Sequence, residues 1–196
     1  FENITREQIK TYKVSGKKIR LDSKLISSNI AVCSRIDLIL ESIRVYIKPL
    51  ELRDIKDKLE EHDIELLLRL KKKTTTNITY SLTKEEKELL LHRLGYVLKV
   101  LLECYTDQPE YQLLHRLYEE HYKEVINSDQ DSDDDDNDSS TPELRDAQEV
   151  SSSSIQSIHD PEATYRSKGH GKKKQQVSGY HANITETCDE TNEFNL

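Results

Sequence analysis

Asp22 is the residue whose type and position most directly suggest chemistry. It closes the alternating segment Lys17-Lys18-Ile19-Arg20-Leu21-Asp22 and precedes a polar stretch, Ser23-Lys24-Leu25-Ile26-Ser27-Ser28-Asn29. A carboxylate at the end of a strand offers the oxygen ligands that hard divalent cations take. The same pattern also suits an aspartate that opens a turn or caps a helix. Asp160, ahead of Pro161, suits a turn opener more than a residue shaping an active-site edge, and His159 beside it reads as a surface residue. A second kind of chemistry lies in Arg166, Lys168, Lys172, Lys173 and Lys174, which are interleaved with Gly169 and Gly171. Such cations can neutralise nucleic-acid phosphates and release their counterions, or can simply solvate a hairpin loop. Lys71-Lys72-Lys73 reads instead as the cationic end of a helix. The aspartates from Asp129 imitate a calcium loop, but the sixth position is Asp134 where glycine is needed and the twelfth is Ser140 where glutamate is needed.

The elements that must position these residues follow from the apolar periods. One strand should end near Asp22. Ile36, Ile39, Leu40, Ile43 and Ile47 then recur at helical spacing behind Ser34 as N-cap, and Pro49 ends that run. A second helix is expected from about Glu51 to Lys73, broken by Thr74-Thr75-Thr76-Asn77. A third starts at Thr83, with Glu86 completing a capping box, and carries Leu90, Leu94, Val97, Leu98, Leu101 and Tyr105 on one stripe. A fourth starts near Pro109 and carries Leu114, Leu117, Tyr118, Tyr122 and Val125. Four such helices suffice for a small bundle. Residues 128–154, rich in Asp, Ser, Thr and Glu, have little to bury and read as a mobile linker. Order should return at Ile155, with a strand from about Val177 to Thr187.

The chain has 196 residues and a formal charge of −8, of which Asp129, Asp131, Asp133, Asp134, Asp135, Asp136 and Asp138 supply seven, leaving −8 + 7 = −1 for the rest. The body is therefore nearly neutral. Hydrophobic residues make up 34% of the chain, below the roughly 45–50% of an ordinary globular domain, so the core must be lean. No run approaches the roughly 18 apolar residues of a membrane span, and no signal pattern opens the chain. Cys33, Cys104 and Cys188 are odd in number and far apart, which argues against a disulfide framework or a clustered zinc site and favours a reducing compartment. A start at Phe1, the absence of Met and an apolar ending suggest a segment of a longer polypeptide.

Several strings resemble DDE transposases of bacterial insertion sequences. They are Arg20 to Ile30 followed by Ser34-Arg35-Ile36-Asp37-Leu38-Ile39; Tyr111-Gln112-Leu113-Leu114-His115-Arg116-Leu117; Ile155 to Arg166; and Gly179 to Asp189. The resemblance covers most of the chain in the right order. It implies an α/β or α+β fold, a partial ribonuclease H-like sheet interrupted by a four-helix insertion. On that layout residues 1–33 supply the first strand, 34–127 the helical insertion, 128–154 the acidic linker and 155–196 a hairpin of the core.

By resemblance, Asp22 is the first catalytic, metal-binding acid, and the cofactor is Mg2+ or Mn2+. Two cations about 3.5–4 Å apart stabilise both the attacking and the leaving oxygen of an in-line displacement at phosphorus. The partners implied are DNA at mobile-element ends and further copies of the chain, in a bacterial cytoplasm, nucleoid-associated, with no membrane. The family's remaining Asp and Glu lie well downstream of the hairpin, and neither Asp160 nor Asp189 stands in their place. The 196 residues alone are thus expected to be inactive. The competing expectation is a non-catalytic helical interaction module flanked by tails. The two diverge on whether strands near Ile19–Asp22 and Tyr180–Thr187 pair directly.

Overall fold

The computed structural model describes residues 2–15, 17–28, 33–126 and 140–193. The chain is mixed α and β, and it divides into two compact units, one formed by residues 1–29 and 166–196 and the other by residues 30–165.

The first unit contains helix α1 (Glu2–Tyr12) and strand β1 (Ile19–Ser27). Strand β1 pairs antiparallel along its whole length with a long strand from the other end of the chain, Gln175–Thr187, numbered β5 below. The register sets Ile19 opposite Thr187, Asp22 opposite Ile184 and Ile26 opposite Tyr180. Strand β1 therefore runs past Asp22, because β5 offers it hydrogen-bonding partners as far as Gly179. Around this ladder the chain ends are clasped: the Cys188 amide donates to the Lys18 carbonyl (2.9 Å), and Asn192 donates to and accepts from the Ser15 backbone. The sheet has little cover. Ile19 and Leu21 are exposed on one face, and Ile26 and Ile184 on the other.

The second unit is helical and holds the hydrophobic core. Helix α2 (Arg35–Ile47) begins at Ser34, whose hydroxyl accepts from the Asp37 amide. Helix α3 spans Glu61–Lys72, α4 is a single turn at Thr76–Thr79, α5 spans Lys84–Cys104, and α6 spans Tyr111–His121. The Thr83/Glu86 capping box opens α5 as expected. Ile39, Ile43, Leu67, Leu70, Leu94, Leu98, Leu101 and Leu117 are fully buried at helical spacing and form the centre.

Three expectations need correction. Residues 51–59 form turns instead of the start of the second helix, though Leu52, Ile55 and Leu59 still reach the core. Helix α6 stops at His121. Tyr122–Ile126 is strand β2, because Ser140–Leu144 (β3) comes back to pair with it.

The third concerns the linker. Residues 140–154 are folded, held by that pairing and by three hydrogen-bond contacts from the ammonium of Lys99 on α5. These reach the Ser140 carbonyl (2.6 Å), the Ser140 hydroxyl (2.8 Å) and Glu124 (3.0 Å). The aspartate run itself lies outside the described residues. Residues 155–165 join the helical unit instead of the hairpin: Ile155 and Ala163 are fully buried, and the Ile155 amide donates to Glu120 (2.8 Å). Strand β4 (Thr164–Lys168) begins at the boundary between the units and gives the sheet the order β1-β5-β4.

Candidate functional site

Asp22 is exposed near the middle of β1. Alternation along the strand places it on one face with Arg20 and Lys24, and across the ladder with Glu186, Ile184 and Ala182. Its Oδ1 accepts from the amide of the next residue, Ser23 (2.8 Å). The direct cross-strand partner is an isoleucine, the flanking residues on β1 are cations, and the acid on the same face across the ladder is Glu186. Arg20 instead forms an ion pair with Glu186 directly opposite. Among the described residues no three His, Cys, Asp or Glu come together to hold a metal ion. The residues present therefore do not make up a two-cation centre, and Asp22 is a single carboxylate on a sheet.

The other acids are accounted for locally. Asp160 opens a turn: its amide donates to Ser157, and its carbonyl accepts from Ala163 (3.2 Å). Asp189 accepts from the Thr191 amide (3.1 Å) and hydroxyl (2.7 Å), and these bonds hold its carboxyl below the usual range. His159 contacts Glu41 on α2 (3.2 Å), an exposed contact that pins residues 155–160 to the helical unit.

The basic residues fall on β4 and the turn after it. Arg166, Lys168, Lys172 and Lys174 are exposed, and the side chain of Lys173 lies outside the described residues. A single 3-10 turn at Gly171–Lys173 reverses the chain, with Gly169 and Gly171 at positive φ (84° and 57°), where a side chain would be strained. Lys168 reaches the carbonyl of Ser23 and lies 3.3 Å from its hydroxyl. One of the expected phosphate-binding cations thus sits beside the residue next to Asp22, an adjacency that no spacing in the sequence could reveal. Arg166 lies on β4 itself, and Lys172 and Lys174 lie at the turn.

The sequence reading also missed a buried polar junction. Arg35 donates to the His121 ring (Nε to Nδ1, 3.1 Å), to the His121 carbonyl (2.8 Å) and to the Arg145 carbonyl (2.7 Å), joining α2, α6 and the end of β3. His121 is almost fully buried, and its Nε2 has no partner among the described residues. Burial first, and Arg35 second, push its pKa down to about 4.

Cys33, Cys104 and Cys188 are all free thiols. Among the described residues no helix is long and apolar enough to cross a membrane. Comparison with protein-family models, with curated proteins and with solved structures finds no match to this chain.

Proposed function

We propose that the chain is part of a DDE transposase of the bacterial insertion-sequence kind, whose complete form cuts DNA and joins the ends to a new target. The observation that carries this reading is the pairing of β1 with β5. The two segments that most resemble the family's catalytic core, Arg20 to Ile30 and Gly179 to Asp189, are separated by a helical unit with its own core, yet they form one antiparallel ladder through Asp22 and Ile184. A helical interaction module with unstructured tails gives no reason for that pairing. On this reading the sheet is a ribonuclease H-like core and residues 30–165 are inserted into it.

Asp22 supplies one carboxylate. On this reading the remaining acids would come from polypeptide outside these 196 residues, and a divalent cation held by the complete set would supply electrophilic assistance to displacement at phosphorus. The uncovered apolar faces of the sheet, with Leu21 67% and Ile184 54% exposed, are what a larger sheet-and-helix core would cover. Arg166, Lys168, Lys172, Lys173 and Lys174 hold DNA phosphates beside that core, and the working form is an oligomer on paired element ends in the bacterial cytoplasm.

A second reading is a helical interaction module, favoured by the exposure of Asp22 and by the helical unit's self-sufficient core. One experiment separates the two. A longer polypeptide carrying the missing acids should nick supercoiled DNA with magnesium, and Asp22→Asn should abolish the nicking. In the 196-residue chain the same substitution should shift stability by less than about 0.5 kcal/mol, since the side chain is exposed. Undiminished nicking by the variant rules out Asp22 as a ligand.

A further inference from the structure

Strand β1 stands at one end of the sheet order, so one of its sides is paired with β5 and the other is an edge. Two hydrogen bonds fix which backbone groups fall on that edge. The Ser28 amide donates to the Ser178 carbonyl and the Cys188 amide to the Lys18 carbonyl, each one step past an end of the β1–β5 register. The even-numbered residues of β1 therefore turn their N–H and C=O groups to β5, and Ile19, Leu21, Ser23, Leu25 and Ser27 turn theirs outward. The strand is open along this edge, with Ile19, Leu21 and Ile26 exposed. Side chains touch it only at its midpoint among the described residues: Asp22 Oδ1 accepts from the Ser23 amide (2.8 Å), and Lys168 reaches the Ser23 carbonyl.

We propose that this edge docks on the same edge of a second copy of the chain, antiparallel, with Ser23 on the two-fold axis. Ser23 is the middle residue of the strand Ile19–Ser27, so this register pairs β1 along its whole length and sets outward-turned residues against outward-turned residues. It places Asp22 opposite Lys24 of the second copy, and Lys24 opposite Asp22, on one face of the joined sheet. On the other face it places Leu21 opposite Leu25. Arg20 falls opposite Ile26 and keeps its own Glu186. The two nearest registers that also oppose outward-turned residues meet like charges. One sets Asp22 against Asp22 and Arg20 against Lys24, and the other sets Lys24 against Lys24. Charge thus selects the one register that uses the full strand.

The contacts at the midpoint are compatible with this pairing. The Ser23 amide exchanges Asp22 for a carbonyl of the second copy, and the carboxylate so released meets Lys24 across the axis. The Ser23 carbonyl has two lone pairs, one for Lys168 and one for the incoming amide. An unrelated extended peptide would find the same backbone groups but not the opposed charges. The docking needs neither DNA nor a metal and does not rest on the transposase reading.

Sedimentation equilibrium of the whole 196-residue chain, from micromolar to millimolar concentration, should show a reversible dimer. Asp22→Lys and Lys24→Asp each set like charges across the axis, and each should weaken the dimer roughly tenfold or more. Mixed in equal amounts, the two variants should recover it, because every pair across the axis is then opposite in sign. A chain carrying both substitutions should recover it too. Leu21→Pro removes an outward N–H that β5 does not use, so it should abolish the dimer while the Ser28 amide stays protected from exchange. A chain that stays monomeric at every concentration, or a dimer that ignores this pattern of charges, overturns the proposal. Either result leaves the transposase reading to the nicking assay.

Discussion

Arg20 and Glu186, 166 positions apart in sequence, stand directly opposite each other on neighbouring antiparallel strands and form an ion pair. The pair is largely exposed, so its contribution is on the order of 0.2–1 kcal/mol. Its value is in the register it marks. A slip of one residue would send Arg20 and Asp22 to the opposite face of β1 relative to β5.

The ladder is most sensitive at Gly179. A Cβ there would come within 2.1 Å of the Ile26 carbonyl and 2.6 Å of the Ser28 amide, both backbone atoms that cannot move aside without parting the strands. Gly179→Ala should therefore cost at least about 1–3 kcal/mol of local stability. Hydrogen exchange at the Ser28 amide, which donates to Ser178, reads this directly: its protection should fall sharply. Unchanged protection would mean that β1 and β5 do not pair in this register.

Gly95 on α5 faces the fully buried ring of Tyr122. An added Cβ would lie 2.7 Å from two ring atoms and 3.2 Å from Pro142, while the Tyr122 hydroxyl is anchored on the Leu91 carbonyl (2.7 Å). In an open helix, Gly→Ala adds up to about 1 kcal/mol of stability. Here the clash should win, and Gly95→Ala should lower the unfolding free energy by about 1–3 kcal/mol in a urea titration. A gain in stability would show that β2 is not seated against α5.

His121 makes the helical unit sensitive to acid. Its pKa is lowered from the ordinary 6.5 to about 4, so the folded chain refuses a proton that the unfolded chain accepts. The stabilisation is complete above pH 6.5 and is lost as pH falls from there towards 4, at about 1.4 kcal/mol per pH unit. His121→Gln keeps an acceptor for Arg35 and cannot titrate. Between pH 7 and 4.5 the variant should lose about 2–3 kcal/mol less unfolding free energy than the parent. Equal losses would remove His121 from the account.

Lys99→Met should release the β2–β3 hairpin from α5, because one ammonium satisfies Glu124 and both oxygens of Ser140. Leaving those acceptors without their donor costs about 1–3 kcal/mol, and the loss should be greatest in amide protection at β3. Protection that stays level in β3 while overall stability falls would assign Lys99 a role within α5 only.

The sequence alone determined the elements whose signals are local. The Ser34 cap, the Thr83/Glu86 capping box and the apolar stripe of α5 each need only residues within a turn or two, so their period survives without a partner. The same holds for the carboxylate of Asp22 lying on a strand. The tertiary structure alone decided what depends on a distant chain segment. Tyr122–Ile126 carries a helical stripe yet forms a strand, because Ser140–Leu144 returns to it and Gly95 leaves space for the Tyr122 ring. Strand β1 runs on to Ser27 because β5 extends beside it, and Lys168 meets Ser23 only across that sheet. Arg35 and His121 look like ordinary surface-helix residues until three elements meet at them, leaving Arg35 half-buried and His121 buried. Hydrogen bonds and burial between remote segments depend on chain closure, and residue spacing carries no record of it.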